Sequence, residues 1–258
     1  MRAIILAAGQ GSRLRPLTNN LPKTMVKLFG KTLLQNQIIT LREMGIGEIT
    51  VISGFCSDLI EGDDINIIKN NNFETTNMVS SLFYASHMFN DESDIIIAYG
   101  DIIYEKRILE ELFSCNSSIS LTADLDWEKL WKVRFDDPLS DAETFKIDSS
   151  GFIKELGKKP NSYTEVEAQY MGLIKINSGY QRSLLQDYQS LDKSKKYDGN
   201  SFDNMYMTSF IQGLIDNSWK VRSVLVNGGW LEIDTIDDFK IYNKMYDKGT
   251  ISKYYKCE

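Results

Sequence analysis

The residues best suited to handling phosphate lie in two places: a glycine-rich, basic segment near the start of the chain and two aspartates far downstream. The segment runs Leu6-Ala7-Ala8-Gly9-Gln10-Gly11-Ser12-Arg13-Leu14-Arg15-Pro16-Leu17-Thr18, with Pro22 and Lys23 after it. Gly9 and Gly11 let the backbone come close to a ligand and turn its N–H groups toward anionic oxygens. Arg13 and Lys23 can supply counter-charge. Up to residue 42 the chain carries Arg2, Arg13, Arg15, Lys23, Lys27, Lys31 and Arg42, and neither Asp nor Glu. In a protein of net charge −7, such a stretch reads as a polyphosphate grip. Two glycines alone fit an ordinary strand-to-loop turn equally well. A dinucleotide fingerprint needs a third glycine and an acid about 20 positions on, but Arg15 and Pro16 break the spacing and the first acid is Glu43. A Walker A loop is absent too, since Gly30-Lys31-Thr32 has Met25 where that motif needs its first glycine.

Asp101 comes directly after Ile95-Ile96-Ile97-Ala98-Tyr99-Gly100. Open α/β sheets bind ligands at the carboxyl ends of their strands, which is where this carboxylate falls. A turn-forming Asp after Gly explains it equally well. Asp234, in Trp230-Leu231-Glu232-Ile233-Asp234-Thr235, either serves the same site or caps the last helix. The single histidine, His87, sits in a helical stretch and reads as a helix-face residue rather than a catalyst.

The pattern around these residues is that of βαβ units. Buried strands are expected at Arg2–Ala8, Ile49–Ser53, Ile65–Lys69, Asp94–Tyr99 and Ser118–Ala123. Helices are expected at Leu33–Met44, from Thr76 or Asn77 to about Phe89, and at Ile108–Phe113. The near-continuous isoleucine of the Asp94 strand marks it as central and covered on both faces. From about Trp127 to Ile176 the pattern changes to alternating strands, Thr144–Asp148, Phe152–Leu156 and Ala168–Ile176, read as a small β-rich lobe over one side of a cleft. Phe202–Asp216 reads as a helix, Val221–Val226 and Leu231–Ile233 as strands, and Ile236–Tyr246 as a closing helix. The expected fold is a Rossmann-like mixed, mainly parallel sheet flanked by helices, one domain over 1–258 with its β-rich insertion at about 127–176.

The whole segment Leu6-Ala-Ala-Gly-x-Gly-x-Arg13-Leu-x-Pro16-x-Thr18 with Pro22-Lys23 resembles the signature of the sugar-phosphate and choline-phosphate nucleotidyltransferase family. The resemblance implies the GT-A-like fold of that family, with Leu6, Ala7, Ala8, Gly9, Gly11 and Ser12 around the nucleotide. It implies that Arg13 holds the β- and γ-phosphates and that Lys23 stabilises charge developing at the α-phosphate. It also implies that Asp101, after Gly100, and Asp234 together ligate Mg²⁺, with Mn²⁺ able to substitute. Magnesium prefers a few carboxylates, water and phosphate oxygens. A phosphate nucleophile is already ionised at neutral pH, so positioning and charge neutralisation would carry the reaction.

Thr75-Thr76-Asn77-Met78-Val79-Ser80-Ser81-Leu82 begins a helix, for which Asn77 is an adequate cap. It also resembles the stretch bordering the pyrimidine in cytidylyltransferases, which implies base contacts from Asn77 and Ser81. Within the family the chain is most similar to the branch acting on phosphocholine, aminoethylphosphonate and phosphoglutamine. Glu167-Ala-Gln-Tyr-Met-Gly-Leu and Phe202-Asp-Asn-Met-Tyr-Met-Thr-Ser look like that branch. The expected partners are therefore CTP and a small phosphorylated acceptor, with a role in capsule synthesis. Trp127, Trp131, Tyr170 and Trp230, with Glu167 and Glu232 nearby, would suit a cationic acceptor group, although buried aromatics are more often core. Lys159, in Gly157-Lys158-Lys159-Pro160, matches a lysine that holds acceptor phosphate in sugar-phosphate enzymes, except that Lys158 stands where they have glutamate. A sugar-1-phosphate nucleotidyltransferase or a GT-A glycosyltransferase is the alternative.

The negative net charge argues against nucleic-acid or anionic-membrane binding. The apolar start ends at Gly9, too short for a signal peptide, and no run reaches the length of a membrane span. Cys56, Cys115 and Cys257 are scattered and unpaired in pattern, which suits a reducing, cytoplasmic setting. Oligomeric state is left open.

Overall fold

The computed structural model describes residues 1–62 and 64–257. Its first strand, β1 (Arg2–Ala7), is buried at every residue. Alternate side chains enter opposite faces: Ala3, Ile5 and Ala7 join one apolar cluster, and Ile4 and Leu6 the other. A strand covered on both faces has no polar side to show, which is why it reads as an unbroken apolar run. Helix α1 (Leu33–Glu43) follows, started by a capping box between Thr32 and Gln35. Next come β2 (Glu48–Ser53), β3 (Ile65–Lys69), the short helix α2 (Met78–Leu82), β4 (Ile95–Tyr99), β5 (Ile102–Tyr104), α3 (Lys106–Ser114) and β6 (Ile119–Asp124). The second half holds α4 (Trp127–Arg134), β7 (Phe145–Ile147), β8 (Ile153–Leu156), β9 (Gln169–Ile176), α5 (Gln181–Ser190), α6 (Met207–Asp216), β10 (Val221–Val226), β11 (Trp230–Glu232) and α7 (Ile236–Asp247).

The central sheet has the order β10-β6-β9-β4-β1-β2-β3. Every neighbouring pair is parallel except those made by β9, which runs against both β4 and β6. Reversal has a functional consequence. The first residues of β9 lie at the same edge of the sheet as the carboxyl ends of the other strands, with Gln169 opposite Asp124 and Leu173 opposite Ala98. Gly172 adopts φ +78, and a Cβ there would come within 2.7 Å of the Tyr99 ring, so only glycine lets these strands close together at that edge. β11 pairs with β5 in a separate two-stranded ladder, which brings the segment after residue 232 back beside Asp101.

Five expectations are corrected. β3, expected to be buried, is the edge strand of the sheet and has no buried residue. The segment from Trp127 is a helix, with Trp127 and Trp131 on one buried face. The third strand of the expected lobe, β9, belongs to the main sheet, and only the β7–β8 hairpin stands outside it. Gln169 and Lys175 give β9 a partly polar look, yet all eight residues are buried. Lys175 sets its Nζ on the carbonyls of Phe113 and Cys115. The helix expected from Asn77 to Phe89 is α only as far as Leu82 and continues as 3₁₀ turns with a kink at Ala85. Likewise the helix expected from Phe202 begins at Met207, after a 3₁₀ turn. β5 and α5 were not anticipated. Among the described residues no helix is long and apolar enough to cross a membrane.

Candidate active site

β1 ends at Ala7 and the chain turns away at the carboxyl edge of the sheet. The loop it enters is held by two of its own bonds: the Thr18 hydroxyl donates to the Gly11 carbonyl at 2.7 Å, and Leu14 N–H donates to the same oxygen at 3.0 Å. Gly11 has φ +71, and a Cβ there would lie 2.9 Å from Lys23 Cβ. Gly9, by contrast, has nothing within 4 Å of where its Cβ would be and faces open space. Gly100 N–H donates to the Leu6 carbonyl at 2.9 Å. A Cβ on Gly100 would be 2.7 Å from that oxygen, so glycine is what allows the β4 exit to press against the loop.

Lys23 occupies the centre. Its Nζ is 2.8 Å from Asp101 Oδ2 and 2.8 Å from Asp234 Oδ1, and all three side chains are no more than 15% exposed. Arg13, largely exposed, reaches the other oxygen of Asp234 through Nη2. Burial alone would lower the Lys23 pKa, but the charges and hydrogen bonds of Asp101 and Asp234 outweigh it and hold the ammonium firmly protonated. Burial works to raise the Asp234 carboxyl, yet Lys23, Arg13 and Arg134 together hold it below its ordinary range. Asp101 Oδ1 is buried with no hydrogen-bond partner. An orphaned carboxylate oxygen beside a second carboxylate is a donor set that suits a hard divalent cation. Among the described residues no group of three or more His, Cys, Asp or Glu could hold a metal ion, so a cation here would need phosphate oxygens and water to complete its shell.

A cavity of about 470 Å³ opens above this cluster, lined by Leu6, Ala7, Ala8, Gly9, Gly11, Ser12, Arg13, Lys23, Asn77, Ser81, Gly100, Asp101 and Asp234, with Phe73 and Met78 among its other walls. It therefore gathers every nucleotide residue and every catalytic residue named from the sequence. Asn77 caps α2 by accepting from Met78 N–H. Ser81 Oγ accepts from the fully buried Asn70 amide, which also donates to Thr76 Oγ1. Asn70 thus shapes the rim; in sequence, the Asn70-Asn71-Asn72 run after β3 looks like an ordinary polar turn. The rest of the basic stretch lies elsewhere: Arg2 donates to the Met88 carbonyl and Asn90, and Arg42 to the carbonyls of Ile46, Gly47 and Asp64.

A second cavity of about 380 Å³ adjoins the first, sharing Arg13, Asn77, Met78 and Asp234. Its other walls include Trp131, Tyr170, Glu232, Tyr99, Asp141, Glu143 and Tyr206. Of the seven residues expected to bind an acceptor, Trp131, Tyr170 and Glu232 line this cavity and four do not. Trp127 donates from Nε1 to the Val166 carbonyl and packs as core. Trp230 donates to Asp124 behind Trp131. Glu167 is exposed and accepts from Ile147 N–H. Lys159 Nζ holds the carbonyls of Leu139 and Ser140. No site role was expected of Asp141 and Glu143, because a polar turn gives no hint of what it faces. Burial, together with the Asp141 charge, raises the Glu143 pKa to about 7. Burial likewise raises Glu232 to about 7, against the pull of Arg134.

Arg13 is the one cation in the lining of this second cavity, against four carboxylates and four aromatic rings. One mouth therefore favours positive charge and the other, at Arg13 and Lys23, favours negative charge. The junction is where the two cavities and the Asp101–Lys23–Asp234 cluster meet.

Residues 3–124 match the family of MobA-like NTP transferase domains. The chain is 40% identical over 250 residues to the CTP:phosphoglutamine cytidylyltransferase of Campylobacter jejuni, covering 93% of this chain and 98% of that one. It is 40% identical over 87 residues to the choline-phosphate cytidylyltransferase of Streptococcus pneumoniae, covering 32% of this chain and 38% of that one. Its fold is similar to that of the inositol-1-phosphate CTP transferase from T. maritima, with a TM-score of 0.72, 21% identity, and coverage of 99% and 98% of the two chains.

Proposed function

The chain belongs to the sugar-phosphate and choline-phosphate nucleotidyltransferase family, and on that premise we propose that it transfers CMP from CTP to a small phosphorylated acceptor that also carries a cationic amine. The observation that carries the reading is the Asp101–Lys23–Asp234 cluster, with Arg13, at the junction of two cavities of opposite charge preference.

CTP fits the larger cavity, with its triphosphate along the loop at Gly9 to Arg13 and its base toward Asn77 and Ser81. The acceptor enters the smaller one, amine among the carboxylates and rings, phosphate toward Arg13. An oxygen of the acceptor phosphate attacks the α-phosphorus of CTP. The bond from that phosphorus to the bridging oxygen of the β-phosphate breaks, and pyrophosphate leaves. Lys23 and Arg13 offset the negative charge that gathers on the transferred and departing phosphates. A magnesium ion held by Asp101, Asp234 and phosphate oxygens would supply further positive charge there. No proton needs to be removed from an ionised phosphate, so the step requires no general base.

Phosphoglutamine is the acceptor favoured by the likeness to the C. jejuni enzyme, with phosphocholine and aminoethylphosphonate next. Sugar 1-phosphates, which lack the amine, suit the four carboxylates poorly. The test is pyrophosphate release across CTP, UTP, ATP and GTP against phosphoglutamine, phosphocholine, aminoethylphosphonate and glucose 1-phosphate, with Mg²⁺ or Mn²⁺. Release is expected with CTP and an amine-bearing acceptor. Silence in every combination refutes the transfer reaction, and release only with glucose 1-phosphate refutes the acceptor class. The capsule role that the resemblance implies belongs to the same reading; a deletion strain with unchanged surface polysaccharide counts against it.

A further inference from the structure

Arg134 is the last residue of α4, and its side chain is fully buried between the two halves of the proposed site. Each of the three guanidinium nitrogens donates. Its Nη1 donates to Glu232 Oε2 at 2.6 Å, in the wall of the smaller cavity. Its Nε and Nη2 donate to the two oxygens of Asp238 at 2.9 and 3.3 Å. Its flat faces lie over Trp131 at 4.8 Å and Phe135 at 4.9 Å. Asp238, itself 1% exposed, passes the contact on: Oδ2 accepts from the backbone N–H of Asp234 at 3.0 Å and of Thr235 at 2.8 Å. One planar group is thus tied at one end to a carboxylate facing the acceptor and at the other to the backbone carrying Asp234. A lysine presents one point charge in place of this planar fork, so it cannot reproduce the Glu232 contact and the two-oxygen clasp on Asp238 together.

We propose that Arg134, with Asp238 behind it, is a positioning residue that couples the acceptor wall at Glu232 to the placement of Asp234. It touches no reacting atom and acts through the residues on either side. The inference rests on the cytidylyltransferase reading given above, and it predicts a joint change in two quantities that ordinary packing would not link. In Arg134→Lys the acceptor KM rises and the affinity for Mn²⁺ in the presence of CTP falls, each by roughly 10- to 100-fold, the range seen when an outer-shell partner of a ligand is altered. Asp238→Asn keeps an oxygen for the Asp234 N–H but weakens the arginine fork, and lowers Mn²⁺ affinity in the same direction.

The experiment measures acceptor KM and kcat, Mn²⁺ binding in the presence of CTP by electron paramagnetic resonance, and thermal denaturation. Leu130→Ala, a buried change on the same helix, is the control for lost stability alone. Support requires that Arg134→Lys shifts both acceptor KM and Mn²⁺ affinity well beyond the Leu130→Ala control at comparable melting temperature; a shift in only one of them overturns the coupling. Should Arg134→Lys not fold, Asp238→Asn carries both measurements. Wild-type KM and metal affinity in folded variants overturn the coupling while leaving the transfer reaction standing. An inactive wild-type protein overturns the reaction itself.

Discussion

Removing the Lys23 ammonium should make the ligand-free protein bind divalent metal more tightly while making it a poorer enzyme. Asp101 Oδ2 and Asp234 Oδ1 are each 2.8 Å from Nζ, so they lie no more than twice that distance apart. In Lys23→Ala two carboxylates face each other with no cation between them. At roughly 5.5 Å and an effective dielectric of about 20, that repulsion is about 3 kcal/mol. The side chains are at most 15% exposed, so salt relieves little of it. Arg13 is 65% exposed and offers weak compensation. A divalent ion that enters the gap recovers the 3 kcal/mol and no longer competes with an ammonium. Since about 1.4 kcal/mol is a factor of ten, Mn²⁺ affinity without nucleotide should rise about 100-fold. The assay is a Mn²⁺ titration of wild type and Lys23→Ala, following the free-ion paramagnetic signal, with no CTP present. Turnover in the same variant should fall by about 10²- to 10³-fold, the loss of one preorganised charge at a developing anion. Equal or weaker Mn²⁺ binding by a folded Lys23→Ala protein would show that the lysine does not stand in for a cation between these carboxylates.

Asp101→Asn should lower turnover by at least about 10²-fold with an unchanged circular dichroism spectrum, and full activity would remove Asp101 from the reaction. Glu143, raised from 4.5 to about 7 by burial and by Asp141, is more easily protonated folded than unfolded, so stability is lost as pH rises from about 4.5 through about 7. Glu143→Gln should therefore be more stable than wild type at pH 8, by roughly 3 kcal/mol at most, and no more stable than wild type at pH 4; a gain of the same size at both pH values contradicts this. The acceptor KM should also fall as pH rises across 7 in wild type but not in Glu143→Gln, as steady-state kinetics would report. Gly11→Ala forces a side chain onto φ +71 and against Lys23, and should destabilise by about 1–3 kcal/mol in urea melts while raising the KM for CTP. Lys159→Ala, whose side chain is not in the cavity lining, should leave the acceptor KM within about twofold; a rise of tenfold or more would return Lys159 to the acceptor site.

The parts of the fold written in short-range pattern were legible. β1 and β2 fall where apolar runs end at turn residues, because strands buried on both faces need no partner to be recognised; β3 has the same apolar run but sits at the sheet edge with no residue buried, which only the strand order reveals. The phosphate loop was legible for another reason: Gly11 and Gly100 are required by backbone geometry, and Arg13 and Lys23 stand out in a stretch without acids. What failed depended on long-range pairing. β9 reads as a half-polar strand until its lysine is seen capping carbonyls across the sheet. Trp127 and Trp230 look like a cage but spend their indole N–H groups on Val166 and Asp124. Glu143, Asp141 and Asn70 gave no local sign because their importance comes from what is packed over them.

The reversed strand β9 separates the two cavities along the chain even though they touch in space. The walls of the larger one come chiefly from residues 6–24 and 73–101, and those of the smaller one chiefly from 131–172 and 206–208, with residues 232 and 234 at the seam. Substitutions that retune what enters the second cavity therefore need not pass through the loop that meets the first. Divergence can try new acceptors on one stretch of sequence while the donor machinery is inherited intact on another. The seam, where Arg13, Asn77, Met78 and Asp234 serve both, is where such drift should be least tolerated.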